Sequence, residues 1–530
     1  MAQSLPGGEV HGNFELNAQY YTADSSINAP VVPEKALMNS FANIIYTNNN
    51  FTAGARFESY LNTMQGFDPR YNNTGVPFRY VSYNLDGLEI TAGNFYEQFG
   101  SGLIFRSYEE RGLGLDNAMN GVRVRYAPWK GVQLKGVWGK QRTYWTNGPG
   151  IVRGIDADFS LNDMFACMAE QKTRIQVGGS FVSKYQKDQD PLYNLPENVG
   201  AGAARINITR GKITLSGEYA SKINDPSYVN NFIYRPGQAL LLNASYSKKG
   251  MGINVSAKRI DNMNYRSDVN ATRTDLNINY LPALTKQHTY QLAAIYPYAT
   301  QPNGEFGMQG EFIYTFKKET PFGGKYGTTV ALNYSRAQAI DHSAPADTSA
   351  IGVAGTYGYR SDFLKFGKQV YFEDVNVEIT KKFSPKFHAA LSYLYITYNK
   401  DVIQGTPGYG TIYSHIGVLE THYKFTETHT LRSEFQHLYT KQDQKSWAMV
   451  LMEYTVAPHW FVAALDLYNY GNPVASKQVH YYNFSGGYSK NTMRFSLGYG
   501  KQREGIFCVG GVCRTVPASN GLTFSITSSF

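Results

Sequence analysis

The sequence predicts an all-β chain, a single-chain antiparallel transmembrane β-barrel of about 26 strands (roughly 24–26), with short periplasmic turns and long extracellular loops. Three observations lead there. Apolar and polar side chains alternate over segments of about ten residues. Tight and long connections follow one another along the chain. The composition fits neither a soluble domain nor a helical membrane protein.

The alternation comes first, because a strand with one face on oil and one on water must repeat every second residue. In 492–500, Met493, Phe495, Leu497 and Tyr499 point one way, and Arg494, Ser496 and Gly498 the other. Leu240, Leu242, Ala244 and Tyr246 oppose Asn243, Ser245 and Ser247; Ile253, Val255 and Ala257 oppose Asn254, Ser256 and Lys258. The same reading makes a strand of Leu276, Ile278 and Tyr280 against Asp275, Asn277 and Asn279. Between such segments, tight turns such as 85–87, 210–211, 249–250 and 490–491 alternate with long stretches such as 22–34, 63–77, 97–120, 185–199, 222–237, 340–367 and 503–520. Outer-membrane barrels have this pattern, with an even strand number that places both termini at the periplasmic side. Residues 1–10 are expected to form a periplasmic arm and 11–530 the barrel, with the first strand near 11–21 and the last at 521–530. If 78–84 and one other short segment are loop, the count falls to about 24.

Of 530 residues, 15% are aromatic and 17% charged, with 42 Tyr, 30 Phe and 51 Gly, and mean hydropathy is -0.38. Such a chain is too aromatic for disorder, and it has no run of about 18 apolar residues that would make a spanning helix. The net charge of +9 is spread without a basic block, which excludes nucleic acid as a partner. Cys167 stands alone, while Cys508 and Cys513 lie five apart in a Gly-rich turn, where a local disulfide and two free thiols are equally compatible readings. A bond there implies an oxidising compartment. No charged-then-apolar leader opens the chain, which is read as a secretion signal already removed. With about ten residues before the first strand, no plug domain of the TonB-dependent receptor kind is expected.

The last strand sets Leu522, Phe524, Ile526 and terminal Phe530 against Thr523, Ser525, Thr527 and Ser529. An aromatic end on an amphipathic final strand makes Phe530 a candidate signal for the barrel-assembly machinery. Tyr20, Tyr21, Trp129, Trp460, Tyr468 and Tyr470 suit interfacial girdles. No G-x-S-x-G, P-loop, H-E-x-x-H or EF-hand pattern is present. The recurring His415, His422, His429 and His437 read as lumen or interface histidines, so no enzymatic activity, metal or cofactor is expected.

The most distinctive stretch is 97–120, a long loop that nevertheless carries Leu103, Ile104, Phe105, Leu113 and Leu115 among Arg106, Glu109, Glu110, Arg111 and Asp116. A solvated loop rarely holds so many apolar residues. Folded into the lumen it would form a constriction, its charges facing Arg79, Glu89, Arg123, Arg125 and Lys135 on flanking strands; the other reading is a loop packed on the outer rim. Obstruction is needed in any case, because about 26 strands tilted by about 40° enclose roughly 50 Å.

The segment GNFYEQFGSGLIFRSYEERGLGLDNA, residues 93–118, together with Phe530 and the Tyr/Asn-rich strands, resembles an uncharacterised family of porin-like outer-membrane proteins from Bacteroidetes, along the whole chain. The resemblance implies a barrel in the outer membrane of a Gram-negative bacterium. It implies no substrate and no functional residues. The expected function is a passive channel for small hydrophilic solutes, narrowed by inward-folded loops. The alternative is a non-conducting barrel plugged by its loops, a scaffold in a secretion, lipoprotein-export or barrel-assembly complex. A pore calls for loosely filled polar lumen positions, a scaffold for interlocking lumen charges. Outer-membrane lipid, lipopolysaccharide and the assembly machinery are the expected partners in both.

Overall fold

The computed structural model describes residues 3–5, 7–345, 350–509 and 512–530. Met1, Ala2 and Pro6 of the expected arm, and parts of the loops 340–367 and 503–520, lie outside these residues. One antiparallel sheet contains 25 strands. Gln3–Leu5 pairs only with the start of Gly8–Tyr21, so 24 strands form the ring. The ring closes where Gly8–Tyr21 pairs with Ser519–Ser529. Phe530 completes this seam, its N–H donating to the Gly12 carbonyl and Gly12 N–H to the Phe530 carbonyl, both at 3.0 Å. The closure leaves no open edge among the 24 strands of the ring.

The count stands at the lower end of the expected range, and the segments removed from it are instructive. Residues 78–84 belong to the strand Thr74–Leu85 and are wall, not loop. The segment 276–280, expected as a strand, is not one. It lies within the connection 262–303, with Leu276 and Ile278 buried inside the ring. Its alternation comes from packing a loop between two neighbours, which imposes an inside and an outside as a membrane would.

Along the wall, alternate residues face opposite sides. In Thr411–Lys424, Ile412, Ser414, Ile416 and Val418 are buried while Tyr413, His415, Gly417 and Leu419 are exposed. The exposed set is apolar around the ring, with Trp138, Ile155, Phe181, Leu242, Val255, Leu391, Val462, Phe484 and Leu497 among it. At one rim the connections are mostly tight, such as 49–50, 86–87, 211–212, 249–250 and 491–492, with 161–172 and 317–327 longer. Asp86 and Gly87 both have positive φ, 49° and 80°, the mirror-image turn whose twist matches that of the strands it joins. The opposite rim carries 22–35, 62–73, 96–118, 262–303, 341–365 and 503–518, besides the tight 144–145. No helix among the described residues is long and apolar enough to cross a membrane.

Candidate functional site

Residues 96–118 leave the wall after Leu88–Phe95, cross the inside of the ring and return at Met119–Tyr126. Their apolar part is an anchor. Phe99, Leu103, Ile104 and Phe105 are buried against Val137, Val152, Val182 and Ala201 of the wall and against Met263, Tyr265 and Ile278 of the connection 262–303. Each such side chain contributes about 1.5–3 kcal/mol by burial. The loop reaches Ile213–Lys222, where Ser101 N–H donates to Glu218 Oε2 at 2.8 Å. Gly100 permits this approach: its φ is +52°, and a Cβ there would stand 2.7 Å from the Glu218 carboxylate.

The second part of the loop is locked by charge. Arg56 binds Glu58 at 2.7 Å, Glu109 at 2.9 Å and Asp116 at 2.5 Å. Arg142 binds Glu58 at 2.7 Å and Asp116 at 2.6 Å. Arg56, Glu58 and Arg142 are fully enclosed. Arg111 joins Glu109 to Glu15 of the first strand at 2.9 and 2.8 Å and lies over the Phe41 ring. Tyr96 donates its hydroxyl to Asp116 at 3.0 Å. Burial pushes the Glu109 carboxyl above its ordinary pKa, and the Arg56 charge only partly offsets that. Removing one partner from such a buried set costs about 3–5 kcal/mol, because the remaining charge has no water to turn to.

A ladder of charges continues along the inner wall. Arg123 meets Glu89, and Arg125 meets Glu97 at 2.6 Å. Lys135 stands between Glu97 and Asp156 at 3.4 and 3.7 Å, and Arg205 binds Asp156 and Asp158 at 2.8 and 2.7 Å. Burial raises the Glu97 carboxyl, but the hydrogen bonds from Arg125 and the Gln98 N–H, with the Lys135 charge, outweigh it and leave the pKa below the ordinary value.

The other half of the ring is closed differently. Leu292, Ala293, Tyr296 and Tyr298, from the later part of 262–303, are buried against Phe372, Leu394, Ile396, Ile416, Leu438, Trp447 and Leu467. Leu292 N–H donates to Gln436 Oε1 at 2.8 Å, and His288 Nε2 lies 2.8 Å from Asp374 Oδ2. The hairpin of Gly505–Val509 and Val512–Val516 rests on both plugs. Cys508 and Cys513 are bonded across it, Gln287 donates to the Cys508 carbonyl at 3.2 Å, and Arg514 Nε donates to the Gly112 carbonyl at 2.8 Å.

Besides a cavity of about 560 Å³ next to the other plug, lined by His288, Tyr298 and Arg503, two cavities lie on opposite faces of the loop. One of about 670 Å³ opens at the long-connection rim, lined by Tyr108, Leu113 and Gly114. The other, about 630 Å³, is lined by Arg56, Glu109 and Arg111 of the lock and runs to Asn50 and Asn84 beside the tight turns. Segment 108–116 is the partition between them.

The profile of a family of unknown function, DUF6029, matches residues 1–530. The chain belongs to this family. No curated protein matches its sequence. Among solved structures, the translocation pore of the P pilus usher PapC is similar over 98% of this chain and 98% of its own, at 10% identity and a TM-score of 0.44. The siderophore receptor PirA from Pseudomonas aeruginosa is similar over 100% of this chain and 82% of its own, at 11% identity and a TM-score of 0.39.

In this DUF6029 member the charged residues singled out in the sequence take several places. Glu109, Arg111 and Asp116 enter the lock, and Arg123 and Arg125 the ladder. Arg106 enters neither; its guanidinium is sandwiched between Tyr108 and Tyr280, at 4.3 and 4.1 Å from the ring centres. Glu110 contributes backbone pairing to Leu115 and no ion pair among the described residues. Arg79, expected inward, alternates with the inward Phe78 and Tyr80 and is exposed outside the ring. The inner face is aromatic there because Phe78 stacks on Tyr96 and under Arg56. Sequence reasoning missed Arg56, Glu58 and Arg142; the spacing of Arg56 and Glu58, two apart on one strand face, was the available signal. Of the histidines, His415 and His437 face outward and bond Tyr393 and Tyr470 at 2.8 and 2.7 Å, while His422 pairs with Glu420 inside. Among the described residues no three His, Cys, Asp or Glu side chains gather to hold a metal.

Proposed function

We propose that this protein is an outer-membrane barrel serving as a conduit for small hydrophilic solutes, held shut at rest by its own loops. The observation that carries this reading is the partition: cavities of about 670 and 630 Å³ lie on either side of one segment, 108–116. Displacing that segment would join them into a path from rim to rim. The exposed apolar ring suits lipid and lipopolysaccharide around the wall. In this orientation the tight turns and both termini are periplasmic, Phe530 presents its aromatic end to the assembly machinery, and no catalytic step is involved. A second reading, a scaffold in an outer-membrane complex, is favoured by the interlocking of the buried pairs about Arg56 and Arg142.

Single-channel conductance in planar bilayers tests this, with the intact protein beside a deletion of residues 103–115. The intact barrel is expected to be silent or nearly so, and the deletion to conduct steadily. A steady open current from the intact protein would overturn closure at rest and restore the passive channel. Silence from both would remove the loop as gate and leave the scaffold.

A further inference from the structure

The cavity at the long-connection rim differs in charge from the lock and the ladder. In the lock and the ladder every basic side chain meets a carboxylate. Two arginines of this cavity do not. Arg266 donates to Asn264 Oδ1 and to the carbonyls of Thr272, Arg273 and Asp275, and to no acid. Arg514 donates Nε to the Gly112 carbonyl, stacks 4.1 Å over Phe67, and keeps a buried Nη1 without a partner among the described residues. Arg273, its side chain 80% exposed at the entrance, has its nearest carboxylate, Asp68, 3.9 Å away. The acids lining the cavity, Asp68 and Asp275, are both held by Arg70, at 2.7 and 2.9 Å. Burial lowers the pKa of Arg266 to about 10, and the Asp275 charge only partly offsets it.

The remaining lining mixes apolar side chains, Leu113, Leu281, Ile403 and Val512, with aromatic and polar ones. Tyr108, Tyr144 and Tyr280 line it with rings that each also carry an arginine on one face, Arg106 for the first and last and Arg70 for Tyr144, and Asn277, Thr274 and Gln301 offer amide and hydroxyl groups. Rings match the C–H face of a pyranose, and amides its hydroxyls, while guanidinium forks suit a carboxylate. A volume of about 670 Å³ is that of a small-ligand site. We propose that this cavity binds an acidic saccharide of the uronate type, its carboxylate on Arg514 and Arg273, with Arg266 adding positive potential and the sugar face on the tyrosines.

Calorimetric titration of the full chain in detergent tests this, with trigalacturonate, neutral galactotriose and inorganic phosphate as ligands. Trigalacturonate is expected to bind, and galactotriose at least about tenfold more weakly, the worth of one lost charge-assisted contact. Arg514→Gln should lose about tenfold or more. Arg273→Gln should lose a smaller factor while leaving the fold untouched, since that side chain is mostly in solvent. Several results would overturn the proposal: no binding of trigalacturonate, equal binding of galactotriose, phosphate binding as tightly as the sugar acid, or both variants binding like the parent. No current is read, so failure here leaves the gating reading standing, and a barrel that never conducts leaves this site standing.

Discussion

The two halves of the bore are closed by different physics. Beside the strands Gly8–Tyr21 to Thr146–Ser160, the closing segment 108–116 is held by charges, with Arg56 and Arg142 as its posts. Beside the strands Thr328–Ile340 to Trp460–Tyr468, Leu292 and Tyr296 are held by apolar packing on Leu438 and Trp447. Ions released from such a lock regain hydration, which offsets much of what they lose. Apolar groups released into water gain nothing in return. The charged half is therefore the displaceable one, and the apolar half the permanent one.

The strongest way to break this contrast is Arg142→Gln. It leaves Glu58 and Asp116 short of a partner, with an expected cost of about 3–5 kcal/mol. Segment 108–116 should loosen, giving current in bilayers and maleimide access to a cysteine placed at Gly112. A variant as silent as the parent, with that cysteine still protected, would show the lock is not the gate.

Leu292→Ala attacks the other half, at about 2–5 kcal/mol. It should lower the temperature at which the barrel unfolds on heat-modified gel migration, yet produce no current. Current from this variant as large as from Arg142→Gln would erase the difference between the halves. Cys508→Ser comes next. Opening the short disulfide loop should cost about 2 kcal/mol in the chain-entropy account, and faster proteolysis of 503–518 in the variant or under reductant is the readout. Unchanged proteolysis would mean that packing alone holds the hairpin.

The smallest expected effect is on pH, and its sign differs between two glutamates of one loop. Glu97 has its folded pKa below the unfolded value, so its contribution is present above the unfolded pKa and is lost as pH falls through the folded one. Glu109 has its folded pKa above the unfolded value, so its contribution is present below the unfolded pKa and fades as pH rises through the folded one. Acidification should thus speed hydrogen exchange near Glu97, and Glu97→Gln should exchange fast at every pH. Acid-dependent exchange that persists in that variant would assign the effect to another group.

Much of the fold was legible because alternation is local: a two-residue period declares a strand without knowledge of its partners. The wall from Gly8–Tyr21 to Ser519–Ser529 could be read in this way, and so could the anomaly of Leu103 to Leu115, too apolar for a solvated loop. Arg79 shows where the rule slips. Phe78 and Tyr80 face inward because Tyr96 and Arg56 stack there, and only the folded loop supplies those partners.

By itself the sequence determined an all-β chain with a closed, amphipathic wall and an apolar loop in need of shelter. What fills the bore was settled only by tertiary structure. Leu276, Ile278 and Tyr280 alternate as a strand does, yet Asn279 donates to the Leu103 carbonyl from 176 residues away at 3.1 Å. Glu58 likewise meets Arg142 from 84 residues away. Local pattern reports only that a residue has a dry side and a wet side. Whether the dry side is lipid or another loop depends on contacts between segments far apart in the chain, and these exist only once the ring has closed.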